Sequence, residues 1–210
     1  MKIEGEYVFN GPRELVWELL RDPDALASAL PGTQSLNRIS DNEYGGVMNM
    51  RIGPVAADFA GRLVVSDEVP PESCTLSVDG KGASGFVKGI GHVQLIDQGN
   101  SATLMKYAGD AQVGGKLAGI GQRMIDTVSK SMIRQGLEAL NKALEARVAA
   151  RAEGRAVDYT PPSTGEFAAA VAKDVVGTAT SSAGVRMLLY VVPLIIILAI
   201  IALILSRLGS

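Results

Sequence analysis

Between Val113 and Val148 the stretch VGGKLAGIGQRMIDTVSKSMIRQGLEALNKALEARV carries the longest helical pattern in the chain. Leu117, Ile120, Met124, Val128 and Met132 step by three or four residues, and Leu137, Leu140 and Leu144 continue the apolar stripe. No proline interrupts it. Lys142 and Arg147 fall in its last turns, where cations suit the negative end of a helix. At 1.5 Å per residue, a helix of roughly 30 residues is about 45 Å long. Short helices cannot cover such an element, so it needs a broad partner surface. The segments before it read as short strands, which predicts one long helix laid across one antiparallel sheet.

Ile3 to Phe9 alternates as a first strand, and Asn10-Gly11-Pro12 turns the chain into a helix with Asn10 as the expected cap. Leu15, Val16, Leu19 and Leu20 give that helix an apolar face. Asp22-Pro23 ends it and opens a second short helix, Asp24 to Leu30, closed by Pro31-Gly32. From Thr33 to Leu117 the period changes to two. Tyr44, Met48, Met50 and Ile52 share one side of a strand, and Phe59, Leu63 and Val65 share one side of the next. Cys74 to Val78, Phe86 to Ile96 and Ala102 to Ala111 complete the set. Gly53-Pro54, Pro70-Pro71, Asp79-Gly80 and Gln98-Gly99-Asn100 are the expected breaks and turns. The reading is an α+β fold: strand, two short helices, about six strands in a meander, one long helix.

The chemistry-bearing residues are few. Net charge is -2, which is no footprint for nucleic acid. One cysteine, Cys74, excludes an internal disulfide and a cysteine-cluster metal site. His92, the single histidine, has no partner nominated by spacing for base or nucleophile work. Gly80-Lys81-Gly82-Ala83-Ser84-Gly85 matches a dinucleotide fingerprint, but a strand rather than a helix follows it. Gly114-Gly115-Lys116 lacks the rest of a phosphate loop and reads as a turn into the long helix. Met48, Met50, Met105, Met124 and Met132 fall on the sheet and the helix, either as core packing or as the adaptable wall of an apolar cavity.

Residues 151–184 are rich in Ala, Gly, Ser, Thr and Pro and read as a flexible linker, with Glu166 to Val176 able to form a surface helix. A membrane anchor over 185–206 follows. Its core, Met187 to Leu205, is 19 residues without a charge. That is about 28 Å of helix against a hydrocarbon layer of ~30 Å. Arg186 and Arg207 bracket the run, Tyr190 lies near one interface, and Pro193 is tolerated in such a helix. The start of the chain lacks the apolar run of a signal peptide. The expected arrangement is therefore a single-pass tail anchor, with residues 1–150 on the cytoplasmic side of the cytoplasmic membrane.

The sequence also resembles a known family. Leu30-Pro31-Gly32, Gly53-Pro54 followed by Phe59 and Gly61, Gly85-Phe86-Val87-Lys88-Gly89, and above all the run from Val113 to Arg123 are similar to the CoxG family, the G component of carbon monoxide dehydrogenase. The resemblance covers residues 1 to about 148. Gly136-Leu137 stand where bulkier aromatic residues are expected in that family. The resemblance implies a START-like helix-grip fold, a sheet of about seven strands wrapped around the long helix with an apolar cavity between. It implies a non-catalytic accessory protein that binds a respiratory quinone, menaquinone or ubiquinone. It also implies recruitment of molybdenum CO dehydrogenase, or a related molybdenum hydroxylase, to the membrane. The cavity lining expected on that basis is Met48, Met50, Phe59, Phe86, Met105, Tyr107, Leu117, Ile120, Met124 and Val128. A START-like cyclase or hydrolase, and a membrane adaptor with a filled core, are the competing readings. The residues nominate no metal and no catalytic set.

Overall fold

The period-two stretches form strands, and their tight connections leave each strand paired with its neighbour in sequence. The computed structural model describes the backbone of residues 1–180 apart from Pro31, Gly53 and Pro54, without the side chains of residues 50–57, 164, 168 and 175–180. Strand β1 (Lys2–Phe9) precedes helices α1 (Arg13–Leu20) and α2 (Pro23–Ala29). Then come β2 (Thr33–Ser40), β3 (Glu43–Ile52), β4 (Val55–Val69), β5 (Ser73–Gly82), β6 (Gly85–Asp97) and β7 (Thr103–Gly114). They make one antiparallel sheet in the order β1-β7-β6-β5-β4-β3-β2. A 3-10 helix (Gly115–Ile120) leads into α3 (Gln122–Glu153), and α4 (Thr164–Thr180) follows an irregular stretch. Two compact units result, Met1–Val171 and Ala172–Ser210.

Three local expectations are corrected. The long helix begins at Gln122 rather than near Val113, because Gly115 and Gly121 take φ of 74° and 95°, left-handed values that no α-helix contains. Asp79-Gly80 is not a turn. It sits inside β5, where Asp79 stands between Arg62 and Lys88 in register and its carboxylate lies 3.2 Å from the Lys88 ammonium. Asn10 caps nothing. The position before α1 is Pro12, and Asn10 instead donates its backbone N–H to Asn141 Oδ1 at 2.8 Å and its amide to Glu145 at 2.6 Å, tying β1 to α3. The Gly53-Pro54 break falls outside the described residues.

Asp22 caps α2 as its sequence suggested. Its Oδ1 accepts the backbone N–H of Asp24 at 2.9 Å and of Ala25 at 3.3 Å, while Oδ2 accepts from Arg147 near the end of α3. Burial raises the pKa of this carboxyl, but the bonds from Arg147, Ala25 and Asp24 outweigh it and hold it below the ordinary 3.8. A carboxyl depressed in the folded state stabilises above its unfolded pKa, and that contribution is lost as pH falls through the folded value. Asp22→Asn, which keeps an acceptor for the cap, is therefore expected to be slightly less stable at pH 7. It should converge on the parent in acid, below both pKa values. Denaturant melts at the two pH values check this, and a gap that widens in acid would contradict it.

The main core lies toward the C-terminal half of α3. Leu137, Leu140, Ala143 and Leu144 meet Phe9, Val16, Leu19, Val93, Leu95 and Met105 there, with Trp17, Leu15 and Tyr7 half-buried around them. Gly136 is buried, and a Cβ on it would come within 3.3 Å of the Ala29 carbonyl. The glycine standing where an aromatic residue was expected thus lets the end of α2 lie close on α3. The first unit runs past residue 150: Tyr159 packs against the core and donates its hydroxyl to the Ala139 carbonyl at 3.0 Å, and Phe167 is buried. Ser163 and Glu166 exchange hydrogen bonds as a capping box at the start of α4. So the stretch read as a linker contains a helix, and its first half lies against the domain.

Candidate functional site

Directly paired strand residues share a sheet face, so the register defines what faces α3. Phe9, Val93, Leu95 and Met105 mark the inner side. Three adjacent inner rows cross the strands away from that core. One runs Met48–Phe59–Gly82–Gly85, the next Leu36–Gly46–Gly61–Gly80–Val87–Val113, and the third Arg38–Tyr44–Leu63–Val78–Gly89–Ala111. The middle row places glycine on three consecutive strands. It forms a trough between Phe59 on one side and Tyr44, Leu63 and Val78 on the other. Phe59 and Tyr44 are buried, and so are Ile125 and Val128 on the N-terminal half of α3. Val78, in the middle of the inner face, is nevertheless 42% exposed. A valine on the core side of a sheet keeps such exposure only where nothing is packed over it.

The polar groups near the trough are engaged in structure. Tyr44 donates its hydroxyl to the Arg21 carbonyl at 3.0 Å, and the Arg38 guanidinium lies 5.6 Å from the Tyr44 ring while donating to the same carbonyl at 3.0 Å. Cys74 is on the inner face near the main core, and burial pushes its thiol up, away from the reactive thiolate. His92 falls on the outer face, with Nδ1 3.0 Å from the Thr75 hydroxyl. There it borders a shallow groove of about 860 Å³ with Glu4, Glu6, Gln94 and Lys106. Among the described residues no group of three or more side chains is placed to hold a metal.

The expected lining residues do not form one site. Met48 and Phe59 stand side by side in one inner row, and Val128 is buried on α3. Leu117 is buried, but in the 3-10 helix, with its N–H bonded to the Ser84 carbonyl at 3.1 Å. Ile120 ends that short helix, half-buried. Met124 is 40% exposed and the buried position is Ile125, because the later start of α3 shifts the buried stripe by one residue. Phe86 lies on the outer face, over Gly114, since Gly85 takes the inner position opposite Gly82. Met105 and Tyr107 belong to the other end. Met105 pairs with Leu95, eight residues along β6 from Val87, or roughly 27 Å at ~3.4 Å per residue. Met105 is part of the packed core there, and Tyr107 covers Gly5, its hydroxyl pKa raised by burial. Met50 pairs with Ala57 in register, and its side chain lies outside the described residues. Gly61, Gly80, Leu63, Val78 and Ile125 were missed. The one signal for them was glycine at inner positions of otherwise alternating strands.

Known proteins fit this geometry. The family model for CoxG, the G component of carbon monoxide dehydrogenase, matches residues 5–145, the whole sheet and most of α3. The chain belongs to the CoxG family. A crystal structure of a conserved protein from Geobacillus kaustophilus is 32% identical, with a TM-score of 0.66 over 69% of this chain and 95% of that one. Two more distant structures share the fold. One is a START superfamily protein from Mycobacterium smegmatis, 13% identical, TM-score 0.52, covering 69% of this chain and 97% of that one. The other is the Zhui aromatase/cyclase from a Streptomyces species, 15% identical, TM-score 0.55, covering 74% and 99%. No curated protein matches the chain. The CoxG fold here is START-like, a seven-stranded antiparallel sheet with a long helix across it. Among the described residues no helix is long and apolar enough to cross a membrane, and Met187, Tyr190, Pro193 and Leu205 of the expected anchor lie outside them.

Proposed function

We propose that this CoxG-family protein is a non-catalytic, membrane-anchored accessory protein. It holds a respiratory quinone between sheet and long helix and brings a molybdenum CO dehydrogenase, or a related molybdenum hydroxylase, to the cytoplasmic membrane. The observation that carries the ligand part is Val78, on the inner face yet 42% exposed beside a trough floored by glycine. Open apolar surface facing inward favours a lipophilic guest at roughly 25 cal/mol for each Å² withdrawn from water. The family supplies the partner, and the uncharged run Met187–Leu205 supports the tether. A bound quinone accepts electrons; the chain's own residues supply shape, an apolar surround and position. A cyclase-type enzyme on the same fold needs polar groups converging on its guest. Here the hydroxyl of Tyr44 is committed to a backbone carbonyl and His92 is on the opposite face.

The reading predicts that vesicles carrying the full chain retain CO dehydrogenase and support CO-driven reduction of added quinone. His92→Ala should leave both within about twofold, because loss of an essential base costs orders of magnitude. Activity that collapses in a folded His92→Ala protein would revive the enzyme. Retention of the dehydrogenase without quinone uptake would leave a plain adaptor.

A further inference from the structure

Glycine is present in the inner rows for two different reasons, and only one of them is structural. At Gly46 a Cβ would collide with the Ser35 carbonyl, and at Gly109 with the Ile90 carbonyl, so close backbone approach excludes any side chain. Gly61 and Gly80 differ. A Cβ on Gly61 would meet only backbone of the neighbouring strand, at 3.7 Å and 3.8 Å, and one on Gly80 only the Val87 carbonyl at 3.8 Å. These are ordinary contact distances. Neither residue has a positive φ, so alanine fits both backbones. The pair faces each other in register on β4 and β5, on the side of the sheet that carries Phe59 and Val78. Nothing in the fold forbids side chains there, and glycine within a strand costs stability relative to alanine.

We infer that Gly61 and Gly80 are specificity-determining residues: together they form a side-chain-free floor on which the flat ring of the ligand lies. This rests on the ligand-carrier reading and narrows it to ring-bearing lipophiles. Two neighbouring glycines expose a strip of peptide backbone about two strands, or roughly 10 Å, wide. A planar ring can approach such a strip at van der Waals distance, with Phe59 in the next row to bound it. An aliphatic tail has no need of a flat floor, because it follows an irregular wall of branched side chains equally well. A methyl group raised from either glycine would occupy the layer the ring needs.

The test uses the full chain in detergent micelles with two probes, a benzoquinone bearing a decyl tail and a fluorescent decyl chain without a planar headgroup. Gly61→Ala, Gly80→Ala and the double variant are compared with the parent, and Ser77→Ala, on the outer face of β5, serves as control. Thermal melts of all four should match the parent or rise slightly for the glycine variants, since alanine restricts the unfolded chain more than glycine does. Affinity for the quinone probe should fall about tenfold in each single glycine variant and further in the double, with the ring-free probe and Ser77→Ala unchanged. Equal binding of the quinone probe by parent and double variant, both folded, overturns this inference alone. Equal losses for both probes overturn the ring seat, because the floor then holds the tail. A parent that takes up neither probe removes the ligand-carrier reading and this inference with it. Should Gly80→Ala lower the melting temperature sharply, Gly61→Ala carries the same test on the other strand.

Discussion

Leu144→Ala is expected to destabilise the first unit by about 2–5 kcal/mol, the range for a leucine removed from a closed core. Leu144 is 0% exposed and belongs to the cluster that joins α3 to α1 and β1. Its Cδ2 would stand 2.7 Å from a Cβ on Gly11, so it fills the space directly under the turn after β1. Alanine leaves a cavity there, because the turn is held by its own bonds: Thr103 Oγ1 donates to the Gly11 carbonyl at 2.8 Å. For a unit of this size each kcal/mol moves the midpoint by roughly 2–4 °C, so the thermal transition should drop by about 10 °C. Val8→Ala, at an outer position that is 51% exposed, should shift it by little. Gly11→Ala adds the methyl group that Leu144 excludes. The double variant with Leu144→Ala should therefore be less damaged than the sum of the singles. Circular-dichroism melts of the four proteins decide it. A Leu144→Ala protein melting with the parent would mean that the core is not where this packing puts it.

The second large effect is all or none. The full chain should sediment with membranes and resist alkaline carbonate, whereas a chain ending at Val171 should stay in the supernatant and still unfold cooperatively. The expectation comes from Met187–Leu205 in the sequence. Each Leu, Ile or Val near the centre of a span favours insertion by about 0.3–0.6 kcal/mol, and a lysine opposes it by about 2.5–3.5 kcal/mol. Ile197→Lys with Ile200→Lys should thus release the full chain into the carbonate supernatant. The end point is chosen at Val171 because Tyr159 and Phe167 pack on the first unit. A chain cut at Arg155 loses both and should melt earlier than the one cut at Val171. Sedimentation of the double-lysine variant with integral proteins would sink the tail-anchor reading.

Much of the frame was legible in the residues. Period-two alternation gave the strands, Asp22-Pro23 gave the break between α1 and α2, and the apolar stripe gave α3, because burial of one face is a local pattern with a fixed period. The family resemblance rested on the same stretches and agrees with the match over residues 5–145. What failed was local geometry that a pattern does not encode. Two left-handed glycines postponed α3 to Gln122, and that moved burial from Met124 to Ile125. One glycine at the β5–β6 hairpin decided which face Phe86 takes, since a shift of one residue inverts a strand.

By itself, the sequence determined that a long amphipathic helix must find a sheet, that no metal cluster of cysteines or catalytic set is available, and that a charge-free segment follows. Each of these depends on composition or on spacing within one segment. Only the tertiary structure decided which residues meet. Met48 and Met105, alike in sequence, fall at opposite ends of the sheet, and Gly61 and Gly80 come together across two strands. Register does this, and it is fixed by hydrogen bonds and burial across all seven strands at once, so no single segment contains it.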